Sequence, residues 1–198
     1  MNIQQTSTET SERILLEAER LFRHYGYAKT TMADIADACQ MSPANLYRFF
    51  ASKSALMEGI CSRVTGEAER RFLQVVNADE PASRRLERMA EEMYRNTLEN
   101  LLDHRKVHEM VVVAMEQQWG AVKAHLDRVC KMIQRIIEDG MKTGEFREQN
   151  AERAAKAVHA ALVSICHPMV VAQKLDDEER PTPAELASLI IHSLKSKS

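Results

Sequence analysis

The stretch SPANLYR, Ser42 to Arg48, sets an amide (Asn45), a phenol (Tyr47) and a guanidinium (Arg48) around one large apolar residue, Leu46. On a helix, Leu46 turns inward with Phe49 or Phe50, and Ala44, Asn45, Tyr47 and Arg48 stay outside. None of these groups is an activated nucleophile or a member of an acid pair, so their chemistry is hydrogen bonding. Asn donates and accepts along the edge of adenine, Arg donates twice to guanine, and a small apolar surface meets a thymine methyl. Such a face suits recognition of a DNA major groove.

Other groups carry less chemistry. Seven His include His104 and His108, four apart, and His159 and His167 beside Cys166. No HExxH or paired-cysteine spacing accompanies them, so no metal is expected. There is no Gly-rich phosphate loop and no nucleophile elbow, and the acids alternate with Lys and Arg as on solvated helix faces. Neither an enzyme nor a cofactor is therefore expected. Cys39, Cys61, Cys130 and Cys166 are widely spaced and read as reduced core residues. Eleven Met, among them Met89, Met93, Met110, Met115, Met132 and Met169, read equally as core filler or as an adaptable apolar pocket.

The recognition stretch needs a frame that presents it to a groove. Thr31 and Asp34 form an acidic capping box that starts a helix near Met32, with Ile35, Ala36 and Cys39 on its buried side. Gln40 and Met41 make a turn, and Ser42 as N-cap with Pro43 at the first helical position restarts a helix. Two short helices around a tight turn form the helix-turn-helix unit, whose second helix enters the major groove. Ahead of it, Ile14, Leu15, Ala18, Leu21, Phe22 and Tyr25 mark an amphipathic helix from Ser11, stopped by Gly26. Residues 1–10 are polar and patternless and are expected to be a disordered tail.

Beyond the head, Ser52 caps a helix predicted over 53–77, with Leu56, Ile60, Val64, Ala68, Phe72 and Val75 at helical spacing. Further periodicities predict helices over 82–102, 107–119 and 121–141, the last closing at the KTGEF turn. Ala151 to Leu175 reads as one Ala-rich helix, whose seam of Ala154, Val158, Ala161, Leu162, Ile165 and Met169 suits close approach of another helix. Pro181 and Pro183 separate it from a last helix carrying Leu186, Leu189, Ile190 and Leu194. Nothing reads as strand. The expected fold is all-α with about nine helices: a tail (1–10), a helix-turn-helix head (11–53) and a helical body (54–198).

A chain of 198 residues, 44% hydrophobic and 28% charged, is long enough for a sizeable core. Its net charge is −2, and residues 1–60 hold six Lys/Arg against seven Asp/Glu. Placed contacts rather than bulk charge must therefore carry any DNA affinity. No apolar run reaches the ~18–20 residues of a membrane span, and no signal-peptide core stands at the amino terminus. A cytoplasmic protein with no membrane partner is expected.

The string IADACQMSPANLYRFFASKSAL resembles the DNA-binding signature of the TetR/AcrR family of bacterial repressors. An Ile-Ala pair, a turn, Ser, Leu-Tyr, an aromatic pair and Lys recur at matching spacing over about 45 residues, Ser11 to Met57. Gln40 stands where that family usually has Gly, Ala44 where Gly is frequent and Phe49 where His is common. A left-handed turn at Gln40 costs about 1 kcal/mol. A second, weaker likeness is Gly-Glu-Phe-Arg after the seventh helix.

The resemblance implies a homodimeric, ligand-responsive regulator that acts as a repressor on a palindromic operator in double-stranded DNA. Its DNA contacts then fall to Asn45 and Arg48 at base edges, Pro43 and Ala44 at thymine methyls, and Thr31, Ser42, Tyr47 and Lys53 at phosphates. The implied small-molecule effector is apolar and lies against Met89, Met93, Met110, Met115, Trp119 and Met132. The implied dimer interface uses Val158, Ala161, Leu162, Ile165, Leu189, Ile190 and Leu194. The near-neutral head also fits another class, a helical ligand-binding or scaffold protein whose head no longer binds DNA.

Overall fold

A computed structural model of the chain describes residues 3–100, 113, 120–173, 175, 177 and 179–195. Among the described residues there are nine helices and no strand: α1 (Ile3–Tyr25), α2 (Met32–Ala38), α3 (Pro43–Phe49), α4 (Lys53–Val76), α5 (Ala82–Asn100), α6 (Gly120–Lys142), α7 (Ala151–Cys166), α8 (Pro168–Gln173) and α9 (Pro183–Leu194). The fold is all-α, as the sequence predicts. The run expected as a helix over 107–119 lies outside the described residues except for Val113, which packs half-buried against the head core.

α1 begins at Ile3, so residues 3–10 are not the disordered tail expected of them but the first turns of the amphipathic helix. The segment contains no Pro or Gly, and lengthening an existing helix costs far less than nucleating one.

The chain divides by its packing into two compact units, Met1–Val64 with Arg105–Val122 and Thr65–His104 with Lys123–Ser198. In the first, Ile14, Ala18, Leu21 and Phe22 of α1 close on Ile35, Ala36 and Cys39, on Leu46 of α3, and on Leu56, Met57 and Ile60 of α4. The head thus runs into α4 as far as Val64, past the boundary at Lys53 read from the sequence, because the first buried stripe of α4 belongs to the head core.

In the second unit Phe72, Val75 and Val76 of α4 pack with Leu86, Met89 and Met93 of α5, and with Val129, Met132, Ile133, Ile136 and Ile137 of α6. α5 also packs along α7 and α9. Glu69 ties α4 to α6 with both carboxylate oxygens, one 2.7 Å from Arg128 Nε and the other 2.7 Å from His125 Nδ1.

The single helix expected over Ala151–Leu175 is two. Pro168 has no N–H to give and its ring disfavours helical backbone at the residue before it. His167 accordingly turns extended at φ −79°, ψ 122°, ending α7, and α8 starts at Pro168. The Cys166 carbonyl at that helix end accepts instead the hydroxyl of buried Thr97 on α5, at 2.8 Å.

The KTGEF turn after α6 has a defined task. Gly144 takes φ +75°, which reverses the chain. Glu145 then reaches the first turn of α5, and Phe146, 3% exposed, lies on Gly140, where a side chain would collide with the Phe146 ring and with Ala82.

Candidate nucleic-acid interface

α2 and α3 are seven residues each, too short to hold helical shape alone, and side chains at their ends do part of that work. Thr31 Oγ1 accepts the Asp34 amide at 3.2 Å, while Asp34 Oδ2 accepts the Thr31 amide at 2.8 Å and its hydroxyl at 2.7 Å. The predicted capping box is present, and the two bonds from Thr31 hold the Asp34 carboxyl below the usual carboxylate range. Ser42 Oγ accepts the Asn45 amide at 3.2 Å, with Pro43 in the first turn of α3.

Between them Gln40 adopts φ 55°, the one positive value outside glycine among the described residues. Its amide donates to the Asp37 carbonyl at 2.9 Å and the Met41 amide to the Ala36 carbonyl at 3.0 Å. This pair of bonds is the Schellman closure, in which Gly usually fills the left-handed position. The turn therefore has the geometry that the expected Gly would favour, with Gln strained into it.

α3 has one fully buried side chain, Leu46. Burying a Leu contributes about 1.5–3 kcal/mol, so this residue is the chief anchor of the helix. Phe49 packs half-buried against the head core beside it, Pro43, Ala44 and Arg48 are exposed, Tyr47 is 50% exposed and Asn45 is half-buried. Of the residues that the sequence singled out for base contact, Pro43, Ala44 and Arg48 are thus exposed and Asn45 is less so. Among the described residues the Ser42 and Tyr47 hydroxyls donate to no internal acceptor, whereas Thr31 gives both its donors to Asp34.

The near-neutral charge of the head has a local explanation. Glu17 pairs with Arg20 at 2.9 Å, and Glu19 pairs with Arg23 at 2.7 Å and with Arg63. These acids cancel cations of α1 and α4, while Arg48 has no carboxylate partner among the described residues. The net count conceals one uncancelled guanidinium on the recognition face.

Lys53, expected to hold a phosphate, has internal partners in this structure. Its Nζ donates to the carbonyls of Tyr27 at 2.9 Å and Thr30 at 3.1 Å and stands 4.3 Å from the centre of the Tyr27 ring. The sequence carried no signal for these partners, which lie 26 and 23 residues away.

A family model described as "Bacterial regulatory proteins, tetR family" matches residues 14–60, and one described as "Tetracyclin repressor-like, C-terminal domain" matches residues 82–187, more than half of the chain. The chain belongs to the TetR family. It is a transcriptional regulator with a helix-turn-helix DNA-binding domain. This TetR-family chain is 22% identical over 157 residues, 75% of its length and 78% of the other's, to YhgD, an uncharacterised HTH-type transcriptional regulator of Bacillus subtilis (strain 168). It shares its fold with a transcriptional regulator from Cytophaga hutchinsonii ATCC 33406 at TM-score 0.70 and 22% identity, over 93% of this chain and 98% of that one. It shares it also with SmeT, solved in complex with triclosan, at TM-score 0.63 and 21% identity, over 94% and 90% of the two chains.

In the body of this TetR-family protein, Met89, Met93 and Met132 lie buried within the core. Met110, Met115 and Trp119 fall outside the described residues, as do His104 and His108. A cleft of about 420 Å³ is lined by Glu80, Pro81, Ala82, Arg85, Thr143, Gly144 and Glu145, none of them a residue singled out for the effector. Burial pushes the Cys61 thiol up to about 11 and the Cys166 thiol to about 12, so both are protonated and poor nucleophiles at neutral pH.

The seven residues assigned to a dimer interface separate into two groups. Val158, Leu162, Ile165, Ile190 and Leu194 are buried in the chain's own core, because α7 and α9 turn these stripes toward α5. Leu189 is 69% exposed and Ala161 is half-buried, next to the exposed Ala157, Ala160 and Ser164. Among the described residues, Leu189 and Ala161 thus lie on the outward sides of α9 and α7 and not in their apolar seams.

Proposed function

We propose that the protein binds a palindromic operator in double-stranded DNA as a homodimer, represses transcription there, and is released by a small apolar effector. The observation that carries the reading is α3, anchored inward by Leu46 and presenting Asn45, Tyr47 and an Arg48 that has no carboxylate partner among the described residues. Asn45 and Arg48 read base edges, Pro43 and Ala44 meet thymine methyls, and Ser42 and Tyr47 hold phosphates. Thr31 joins them once its hydroxyl exchanges Asp34 for a phosphate oxygen.

Dimerisation through the outer faces of α7 and α9, with Leu189 and Ala161, supplies a second head, and two heads on a two-fold axis require a palindrome. No described helix is long and apolar enough to cross a membrane. Support for the effector comes from the family and from SmeT, solved in complex with triclosan.

α4, 24 residues long, gives its first half to one unit and its second half to the other. An effector that displaces its distal part, near Phe72 and Val75, is felt at Lys53. Such coupling is reciprocal: an effector that weakens operator binding about 100-fold, roughly 2.7 kcal/mol, is itself bound about 100-fold more weakly by the operator complex. Selection from a pool of random duplexes tests the reading. It is expected to return an inverted repeat, and recovery of no sequence would leave a helical protein with a silent head.

A further inference from the structure

The proposed DNA-binding reading leaves Lys53 as one more cation near phosphate, but its surroundings give it another task. We infer that Lys53 is a positioning residue for DNA recognition, acting through the segment that carries Thr31 and not through a phosphate of its own. This inference rests on the DNA-binding reading and refines it.

The loop between α1 and α2 is built as a platform. Gly26 closes α1 at φ 91°, its amide on the Phe22 carbonyl at 3.0 Å. Thr30, 2% exposed, donates its hydroxyl back to the Gly26 carbonyl at 2.9 Å, and the Tyr27 ring packs 5.3 Å from that of Phe22. This folding leaves the carbonyls of Tyr27 and Thr30 aimed at a common point, where Lys53 Nζ sits at 2.9 and 3.1 Å over the Tyr27 ring. Two of the three ammonium donors are thereby used, and the ring face takes up part of the charge.

The position of Lys53 in the chain gives the clamp its meaning. Thr30 immediately precedes the N-cap of α2, and Lys53 follows the end of α3 by a short link and opens α4. One ammonium group therefore ties together the entry and the exit of the helix-turn-helix unit. Because α3 has only Leu46 as a fully buried anchor, the tilt of its outer face depends on how those two ends are fixed. A lysine serving this purpose changes the fit of the recognition face when removed, while the number of phosphates neutralised stays the same.

The test uses the full-length protein and a labelled duplex that the wild type recovers from the random pool, titrated at salt concentrations from 50 to 300 mM. Each neutralised phosphate contributes about one unit to the salt slope. Lys53→Met keeps most of the stem and removes the charge. It is expected to lower affinity by about tenfold or more per folded molecule, along a salt line parallel to that of the wild type. Tyr27→Leu alters no charge and removes the ring under the ammonium. It is expected to lower affinity too, and in combination with Lys53→Met to lower it by less than the product of the two effects.

A slope reduced by about one in Lys53→Met, with Tyr27→Leu binding as the wild type does, would show a direct phosphate contact and overturn the inference. Unchanged affinity in Lys53→Met at full folding would reduce the clamp to a stability device and overturn it equally. If Lys53→Met does not fold, Tyr27→Leu decides, since wild-type affinity in that variant contradicts the clamp. A wild type that recovers no duplex overturns the DNA-binding reading itself, and this inference with it.

Discussion

Glu145 accepts the backbone amide of Ala82 at 2.7 Å, across 63 residues of chain. Its carboxylate also takes the Ser83 amide at 3.0 Å and the Ser83 hydroxyl, so a residue from the turn after α6 caps the amino end of α5. Burial alone would raise the Glu145 carboxyl, but the Ser83 and Ala82 bonds and the nearby Lys195 charge outweigh it, and the group lies below the usual range. A carboxyl lowered by folding contributes stability that is complete above the ordinary carboxylate range and is lost as pH falls through its folded value. Glu145→Ala is therefore expected to cost about 1–2 kcal/mol in denaturant unfolding at pH 7. That difference should shrink toward pH 3, and a difference constant over pH would contradict the cap.

Gln40 sits in the left-handed region at φ 55° with its amide already bonded, so the side chain brings strain without a compensating backbone contact. Gln40→Gly is expected to stabilise the head by up to about 1 kcal/mol, part of the strain relief being offset by the greater entropy of Gly in the unfolded chain. Chemical denaturation of the two proteins measures it, and a destabilised glycine variant would mean that the Gln40 side chain makes a contact of greater worth.

Local signals in the sequence were readable where cause and effect lie within one turn of helix. Thr31 with Asp34, Ser42 with Pro43, and Leu46 among polar neighbours all fold as their types dictate. Pro168 was equally legible, yet the small-residue seam read across it as continuous; a missing N–H overrides periodicity. The same periodicity marks Val158, Leu162 and Ile165 as buried without saying against what, and α5 turns out to be the partner within the chain. Least legible were the long-range polar pairs. Lys53 with Tyr27 and Glu145 with Ala82 join residues whose separation in sequence leaves no pattern, although the Gly-Glu-Phe turn itself stands out.

The division of α7 and α9 into a buried seam and an outer face gives two substitutions opposite outcomes. Leu189→Glu changes a side chain 69% exposed in the single chain, so it should leave the fold intact and yield monomers in sedimentation at micromolar concentration, where the proposed reading expects the wild type to be a dimer. Leu162→Ala removes a side chain 1% exposed and should cost about 2–5 kcal/mol of stability, with folded molecules still pairing. A dimeric Leu189→Glu protein would move the interface elsewhere.

On the recognition face, Arg48→Ala and Asn45→Ala should each relax preference at particular base pairs, by roughly 1–3 kcal/mol for the base concerned. Affinities for a panel of singly substituted operators measure this. Equal losses on every sequence would reassign both residues to the phosphate backbone.

Binding of the wild type to its selected palindrome, compared with the same duplex carrying one scrambled half-site, tests the dimeric reader most directly. Two coupled heads predict two chains per palindrome and a loss of at least about 100-fold when one half is scrambled. Equal affinity for the two duplexes, or one chain per palindrome at saturation, would contradict the account.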